Sequence, residues 1–372
     1  MKRELYIGML SGTSMDAVDC ALVSFNNGVP VVHDFESFEI PQPLKTMVSS
    51  LIRNETADLK TYGTADILVG RLFAESALTM MQKHNLAPED ITAIGSHGQT
   101  IWHQPVADMH NSRFTIQIGD PNTIAHMTKV TTVADFRRHD MAAGGQGAPL
   151  APAFHQAIFG KSSSARLILN LGGIANITVL SPSHAIGFGY DTGPANTLLD
   201  QWIRHSNGQE FDEDGGWAKS GKVNALLLDL MLDEPYFLLP HPKSTGRELF
   251  NLSWLQTKLT LLPEPCKPED VQATLLELSA LTIAQQITNH LTAGEILVCG
   301  GGIHNRVLME RLTGLLSGFR IASTNQYGLN PDSVEAVAFA WFSQQTMLGL
   351  PIDFSPYTGA CKPVIAGGIY QV

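Results

Sequence analysis

Small and hydroxyl-bearing residues crowd the segment Gly8-Met-Leu-Ser-Gly-Thr-Ser-Met-Asp-Ala-Val-Asp19, the first place where side chains and backbone could do chemistry together. Small residues let a backbone approach an anion, and Ser11, Thr13 and Ser14 add hydroxyls and N–H groups. Asp16, just past the bend, could hold Mg²⁺ through water, because that ion keeps several waters and takes few carboxylates. The same residues also compose an ordinary polar hairpin turn. A second glycine bend, Asn170-Leu-Gly-Gly-Ile-Ala-Asn176, again suggests backbone contact with phosphate, or a simple turn. Gly300-Gly301-Gly302-Ile-His-Asn305 leads from a strand into a helix, where N–H groups and the helix dipole favour an anion or a nucleotide face. Three consecutive glycines are costly in chain entropy, which argues for function there.

Side chains suited to proton transfer and sugar recognition lie between these bends. Asp191, in Tyr190-Asp-Thr-Gly-Pro-Ala-Asn196, is a carboxylate at the end of an apolar run and a candidate general base; a helix-capping or turn aspartate is the plainer reading. Ser96-His97-Gly98-Gln99-Thr100 gathers hydrogen-bonding groups into a loop after a strand, suiting sugar hydroxyls or a loop-stabilising network. Asp135-Phe-Arg137-Arg138-His139-Asp140 puts two cations in an acidic chain, as partners for a substrate carboxylate or phosphate, or as a surface salt-bridge cluster. Gly216 to Lys222 has the G-x-x-x-x-G-K spacing of a phosphate loop, but Val223 replaces the needed Ser or Thr and an acidic loop precedes it, so the match is chance.

The elements that must position these residues alternate between strand and helix. Leu5–Leu10 and Val18–Val23 read as a hairpin around the first bend, with Val31–Ile40 a third strand. Leu68, Val69, Leu72, Phe73, Ala77 and Met80 share one helical face between Ala65 and Met81. Ile91–Ile94 and Phe114–Ile118 are short strands. The pattern then recurs: Arg166–Asn170 and Ile174–Leu180 form a second hairpin, and Gly187–Tyr190 a further strand. Ala148–Phe159, Val271–Leu291, a stretch through Leu312 and Asp332–Leu348 read as helices, and residues 206–220 as a polar surface loop. Two glycine-bent hairpins, each opening a mixed α/β region, make a repeat of architecture without a repeat of sequence.

Bulk properties narrow the partners. With 372 residues, 44% of them hydrophobic and 16% charged, the chain can fill two domains and bury a sizeable core. A net charge of −11 disfavours nucleic acid. Four scattered cysteines, without a C-x-x-C pair, argue against a zinc ribbon or a disulfide framework and fit a reducing compartment. The amino-terminal segment turns polar too early for a signal peptide, and no apolar run approaches the roughly 20 residues that span a bilayer, so a cytoplasmic protein is expected.

Taken together, Gly8–Asp19, Gly95–Thr100, Gln117–Asp120, Val133–His155, Leu169–Asn176, Asp191–Asn196, Lys243–Glu248 and Cys299–Asn305 resemble the anhydro-N-acetylmuramic acid kinases, in order and along nearly the whole chain. Ala17 and Ala195 stand where many members carry glycine. The resemblance implies an α/β fold of the actin-like ATPase (ribonuclease H-like) type, with two domains of mixed sheets flanked by helices and nucleotide in the cleft between them. Residues 1–147 with 349–372 would form one domain and residues 148–348 the other, with Ala148–Phe159 and Asp332–Leu348 as crossing helices.

The resemblance further implies ATP with Mg²⁺. Gly12, Thr13, Ser14, Met15, Asp16, Ala17, Val18 and Asp19 would form one phosphate loop, and Asn170, Gly172, Gly173 and Asn176 the other. Gly300, Gly301, Gly302 and Asn305 would lie near the adenosine. Asp191 matches the family's catalytic base, while His97, Gln99, Asp120 and Arg137 would contact the sugar. The expected substrate is 1,6-anhydro-N-acetylmuramic acid, with no nucleic acid or membrane partner, and a homodimer is compatible with the family. Rival expectations are another small-molecule kinase of the superfamily and, from a different class, an ATP-dependent chaperone or filament module. For the last, 372 residues leave no room for a separate peptide-binding domain.

Overall fold

The computed structural model describes residues 4–12, 15–53, 58–110, 112–161, 165–180 and 187–372; Thr13 and Ser14 lie outside the described residues. The chain divides into two compact units, one of residues 1–158 with 333–372 and one of residues 159–332. The boundaries therefore sit at 158/159 and 332/333 rather than at 147/148 and 348/349. The physical reason is packing: the helix Val334–Met347 lies on the first unit's sheet, and its Ala336, Val337 and Ala340 are buried there.

The first unit is built on a seven-stranded sheet. Its strands are β1 (Leu5–Ser11), β2 (Ala17–Asn26), β3 (Val29–Glu39), β4 (Ile91–Gln104), β5 (Phe114–Ile118), β6 (Thr132–Ala134) and β12 (Gly368–Tyr370), in spatial order β12-β6-β4-β1-β2-β3, with β5 paired to β4. The second unit carries β7 (Arg166–Leu171), β8 (Ile174–Leu180), β9 (Phe188–Pro194), β10 (Gly294–Cys299) and β11 (Phe319–Ser323), ordered β11-β10-β7-β8-β9. Both sheets follow one plan. An antiparallel meander of three strands (β1-β2-β3, β7-β8-β9) is joined on its first strand by parallel ones, β4 then β6, or β10 then β11. This is the ribonuclease H-like order expected of the superfamily, present twice.

Sequence explains the plan. β7, Arg-Leu-Ile-Leu-Asn-Leu, is buried throughout, as a central strand covered on both faces requires. β3 lies at an edge and is half-exposed along most of its length. Each unit has its own apolar core. In the first, Val69, Phe73, Ala77 and Met80 of the helix Leu59–Lys83 pack with Ile7, Met9 and Ile94; in the second, Leu275, Leu278 and Ile283 of the helix Pro268–Thr288 pack with Leu169, Ile177 and Val298. Gly8 and Gly95 are paired across β1 and β4. A Cβ on either would overlap backbone atoms of the helix Val334–Met347, so glycine permits the close approach of helix to sheet.

Several elements differ from expectation. β4 is 14 residues long, so Ser96–Thr100 lies within a strand and not in a loop after one. The first helix of the periodic stretch starts at Leu59, where Asp58 accepts from the N–H groups of Lys60 and Thr61. A helix Gln42–Arg53, with Leu44, Val48 and Leu51 buried, is an addition to the expected elements. Within 206–220 a short helix, Gly216–Ser220, replaces the loop; the turn before it is a 3-10 helix and not a strand, as the rejection of a phosphate loop there requires.

His155, on the helix Ala151–Phe159, is 2% exposed, and burial holds its pKa down to about 3. The unfolded chain takes up this proton near pH 6.5. Stability from the neutral ring is thus full above pH 6.5 and is lost as pH falls towards 3, at about 1.4 kcal/mol per pH unit. Urea unfolding at pH 7 and pH 5 is expected to show a smaller acid loss for His155→Gln than for the native chain. Equal losses would mean that the native ring is charged.

Candidate active site

In the first unit, the β1–β2 hairpin closes with the Met15 N–H donating to the Gly12 carbonyl at 3.1 Å. Met15 takes a positive φ of 56°, a conformation that tightens the bend. Asp16 points its carboxylate outward, 65% exposed and 3.7 Å from Lys45 Nζ. Ala17 and Val18 begin β2, with Val18 opposite Ser11, and Asp19 accepts from Ser37 Oγ at 2.6 Å. A single exposed carboxylate suits an ion that keeps its waters. Among the described residues no cluster of three or more His, Cys, Asp or Glu could cage a metal.

The bend is tied to the second sugar-recognition candidate through the sheet. Ser11 Oγ donates to Gln99 Oε1 at 2.6 Å, both side chains being buried, so Gln99 braces the hairpin from β4. Between His97 and Gln99 the backbone inverts at Gly98, with φ of 71°. A Cβ at Gly98 would overlap the Ile118 carbonyl of β5, which only glycine avoids. His97 Nδ1 lies 3.0 Å from the Gly98 carbonyl, while its Nε2 accepts from Arg137 Nε at 2.9 Å. That pairing selects the Nδ1–H tautomer. Burial first, then the Arg137 charge, hold His97 well below its usual pKa, so the ring is neutral and aims the guanidinium. Arg137 also donates from one terminal nitrogen to the Gly147 carbonyl at 3.0 Å.

The two arginines of the sequence cluster therefore part company: Arg137 turns inward, and Arg138 pairs with Asp135 at 2.9 Å. Asp140 is fully buried and accepts from the Gly147 N–H and from Thr358 Oγ1, both at 2.7 Å, which fixes the loop that carries Arg137's partner carbonyl. Asp120 caps the helix Pro121–Thr128, accepting from Thr123 N–H at 2.8 Å and from the Asn122 N–H; burial raises its pKa, but the side-chain bonds from Thr123 and Asn122 and then these backbone bonds bring it below the usual value. His97 and Asp135 share a small open recess with Ser96, Gln117 and Tyr370. Sequence reading missed Glu335, in the first turn of the helix Val334–Met347. Its side chain is exposed; the surrounding protein first and then the charge of Asp19 push its carboxyl up, and the Arg137 charge opposes them. No motif marks Glu335; only the folded placement of three separate segments singles it out.

In the second unit, the sequence candidates converge. The Gly172–Gly173 bend joins β7 to β8, with Asn170 opposite Asn176 across the hairpin. Asn176 in turn pairs with Asp191 on β9, so the candidate base sits one strand from the glycine bend. Asp191 lies inside β9 rather than at a strand end, since the strand runs on to Pro194. Beyond it, the Ala195 and Thr197 N–H groups donate to the Gly173 carbonyl at 3.0 and 2.9 Å, and Asn196 Nδ2 donates to the Gly172 carbonyl at 2.9 Å. Gly300, with φ of 81°, and Gly302 come so close to Asn170 and Leu171 that a Cβ on either would overlap them, whereas a Cβ on Gly301 would meet open space. The two glycine segments thus make one backbone-lined surface. Asn305 caps the helix Arg306–Leu315 through a 3.0 Å bond from the Leu308 N–H.

A segment that only the resemblance pointed to completes this site. Lys243 O accepts from the Asp191 N–H at 3.3 Å, and the Thr245 N–H donates to Asp191 Oδ2 at 3.0 Å. Tyr236 OH donates to the Asp191 carbonyl at 2.7 Å. The carboxylate is half-buried and oriented by a backbone donor, an arrangement suited to accepting a proton from an adjacent water.

Comparison with known proteins bears on what such a site serves. The anhydro-N-acetylmuramic acid kinase family model matches residues 4–372. The anhydro-N-acetylmuramic acid kinase of Pasteurella multocida is 50% identical over 369 residues, covering 98% of this chain and 96% of its own. That of Photobacterium profundum is 46% identical over 378 residues, covering 100% and 99%. Identity of this extent over whole chains leaves one assignment: the chain belongs to the anhydro-N-acetylmuramic acid kinase family.

Proposed function

We propose that this protein uses ATP to phosphorylate 1,6-anhydro-N-acetylmuramic acid while water opens the anhydro bridge, giving N-acetylmuramic acid 6-phosphate and ADP. The observation that carries the reading is the position of Asp191 directly across from Asn176, one strand from the Gly172–Gly173 bend. Neutral water is a poor nucleophile. Asp191 accepts its proton as the oxygen attacks C1 and the C1–O6 bond breaks; the freed O6 then takes the γ-phosphoryl group of ATP. Phosphoryl transfer itself needs alignment and charge neutralisation more than covalent help. The glycine surface of Gly172, Gly173 and Gly300–Gly302 would hold nucleotide by its backbone, as would the Gly12–Asp19 bend. Mg²⁺, held through water at Asp16, would neutralise phosphate charge. The need for ATP fits a reaction in the cytoplasm; among the described residues no helix is long and apolar enough to cross a membrane.

Release of ADP, followed with a coupled assay, tests the reading. Anhydro-N-acetylmuramic acid should support turnover, while glucose and N-acetylmuramic acid should not; turnover with glucose alone would make this a different sugar kinase. Product analysis in ¹⁸O-labelled water should place label at C1.

Arg137 is assigned to the lactyl carboxylate of the sugar, on the strength of its orientation by neutral His97. Arg137→Ala should raise KM for the sugar about 10-fold or more, the worth of a charge-assisted hydrogen bond, with KM for ATP changed far less. Equal effects on both substrates would remove Arg137 from sugar recognition.

A further inference from the structure

Behind Asp191 lies a buried cation that the proposed reaction does not use. Lys243 is 7% exposed, and its Nζ donates to the carbonyls of Tyr236 and Phe237 at 3.1 and 3.3 Å. The ammonium also sits over the Tyr236 ring at 4.7 Å and near that of Tyr190 at 5.6 Å. Lysine this buried normally pairs with a carboxylate. Here the bonded partners are neutral, and the carboxylate whose charge favours the protonated amine is Asp191; burial acts against it and is the larger effect. The backbone of the same residue accepts from the Asp191 N–H, and two residues on, Thr245 N–H holds the carboxylate oxygen. One side chain therefore anchors the strap that grips Asp191 and carries a positive charge beside it.

We propose that Lys243 is a positioning residue for Asp191: its buried ammonium fixes residues 243–245 against β9 and supplies the field that favours the ionised carboxylate. This rests on the reading of Asp191 as the general base. The tyrosines packed here add no charge of their own. Tyr190 is pushed up to about 12, and Tyr236 is raised further, by burial and then by Asp191, so both stay neutral. Glu248, another contributor to the Tyr236 shift, adds negative charge. His290 is lowered by burial and then by His241, which stacks on Phe188 at 4.5 Å and on Tyr190 at 5.5 Å. Arg247 is a further cation on the same strap, and the Lys243 carbonyl and the Thr245 N–H are bonded to Asp191.

The test is the pH profile of kcat/KM for the anhydro sugar, measured on Lys243→Met and Lys243→Arg with ATP saturating. Loss of the charge in Lys243→Met should move the acidic limb up by about one pH unit, the effect of removing a nearby opposite charge, and lower kcat at pH 7 at least 10-fold with KM for ATP unchanged. Lys243→Arg, which keeps the charge, should leave the limb within about 0.3 unit of the native position while lowering kcat. A merely structural lysine would lower activity in both variants without moving the limb, and that result overturns the proposal. So does an equal shift in both variants. If Lys243→Met fails to fold, Lys243→Gln replaces it as the uncharged variant: a limb moved up by about one unit supports the role, and an unmoved limb refutes it. Asp191→Asn, measured alongside, separates the two ideas. Retained turnover there removes the base itself, whereas an inactive asparagine variant with an unmoved limb in Lys243→Met removes only the lysine's part.

Discussion

Asp191→Asn should fold, bind ATP and bind the sugar, yet turn over about 10²–10⁴-fold more slowly, the usual worth of a general base. Asparagine is nearly isosteric, and its side-chain oxygen can still accept the Thr245 N–H bond now made to Oδ2 at 3.0 Å. The backbone bonds from Tyr236 OH and to Lys243 O are untouched by the change. What disappears is a site that can take the proton of the attacking water. The loss should therefore appear in kcat, with KM for either substrate altered little. Stopped assays over hours, with ¹⁸O incorporation as a second readout, would measure the residual rate. Turnover near the native value would show that another group accepts the proton.

The largest stability effect is expected at Gly8. A methyl group there would overlap the Ala336 carbonyl oxygen and the Ala340 nitrogen, both backbone atoms of a buried helix that cannot rotate away. Overpacking a core costs about 1–3 kcal/mol, and displacement of backbone belongs at the upper end. Gly8→Ala should thus lose about 3 kcal/mol in urea unfolding. Gly63 provides the contrast. It is exposed on the helix Leu59–Lys83, and a Cβ there meets nothing within 4 Å. Gly63→Ala should gain about 0.5–1 kcal/mol from helix propensity and reduced unfolded-chain freedom. A tolerated Gly8→Ala would mean that the helix and sheet do not approach as closely as described.

How far the sequence reveals this molecule depends on the range of the interaction concerned. The glycine-bent hairpins are legible because each is local, an apolar run, a bend and a return. Their match in β1–β2 and β7–β8 makes the duplicated architecture visible without sequence identity. Strand β4 reads too short in the sequence because His97, Gly98 and Gln99 look like a loop. Pairing of Gln99–Gln104 with β5 carries the strand on past the inversion at Gly98. The helix Gln42–Arg53 carries its signal in Leu44, Val48 and Leu51, which two prolines at its start obscure. The candidate site divides in the same way. Asp191 and the Gly300–Gly302 turn stand out by motif. Glu335 and the ammonium of Lys243 acquire meaning only from distant neighbours, which spacing along a chain does not encode. The unit boundaries likewise follow contacts of the helix Val334–Met347 with β1 and β4, not any composition change.

The backbone inversion at Gly98 links two duties that a designer might want to adjust separately. On one side of it Gln99 steadies the serine of the first hairpin; on the other His97 sets the direction of Arg137. A shift of this one residue would be felt at both ends. Gln117 and Tyr370 line the same recess without taking part in either bond, so a change of shape there leaves both in place.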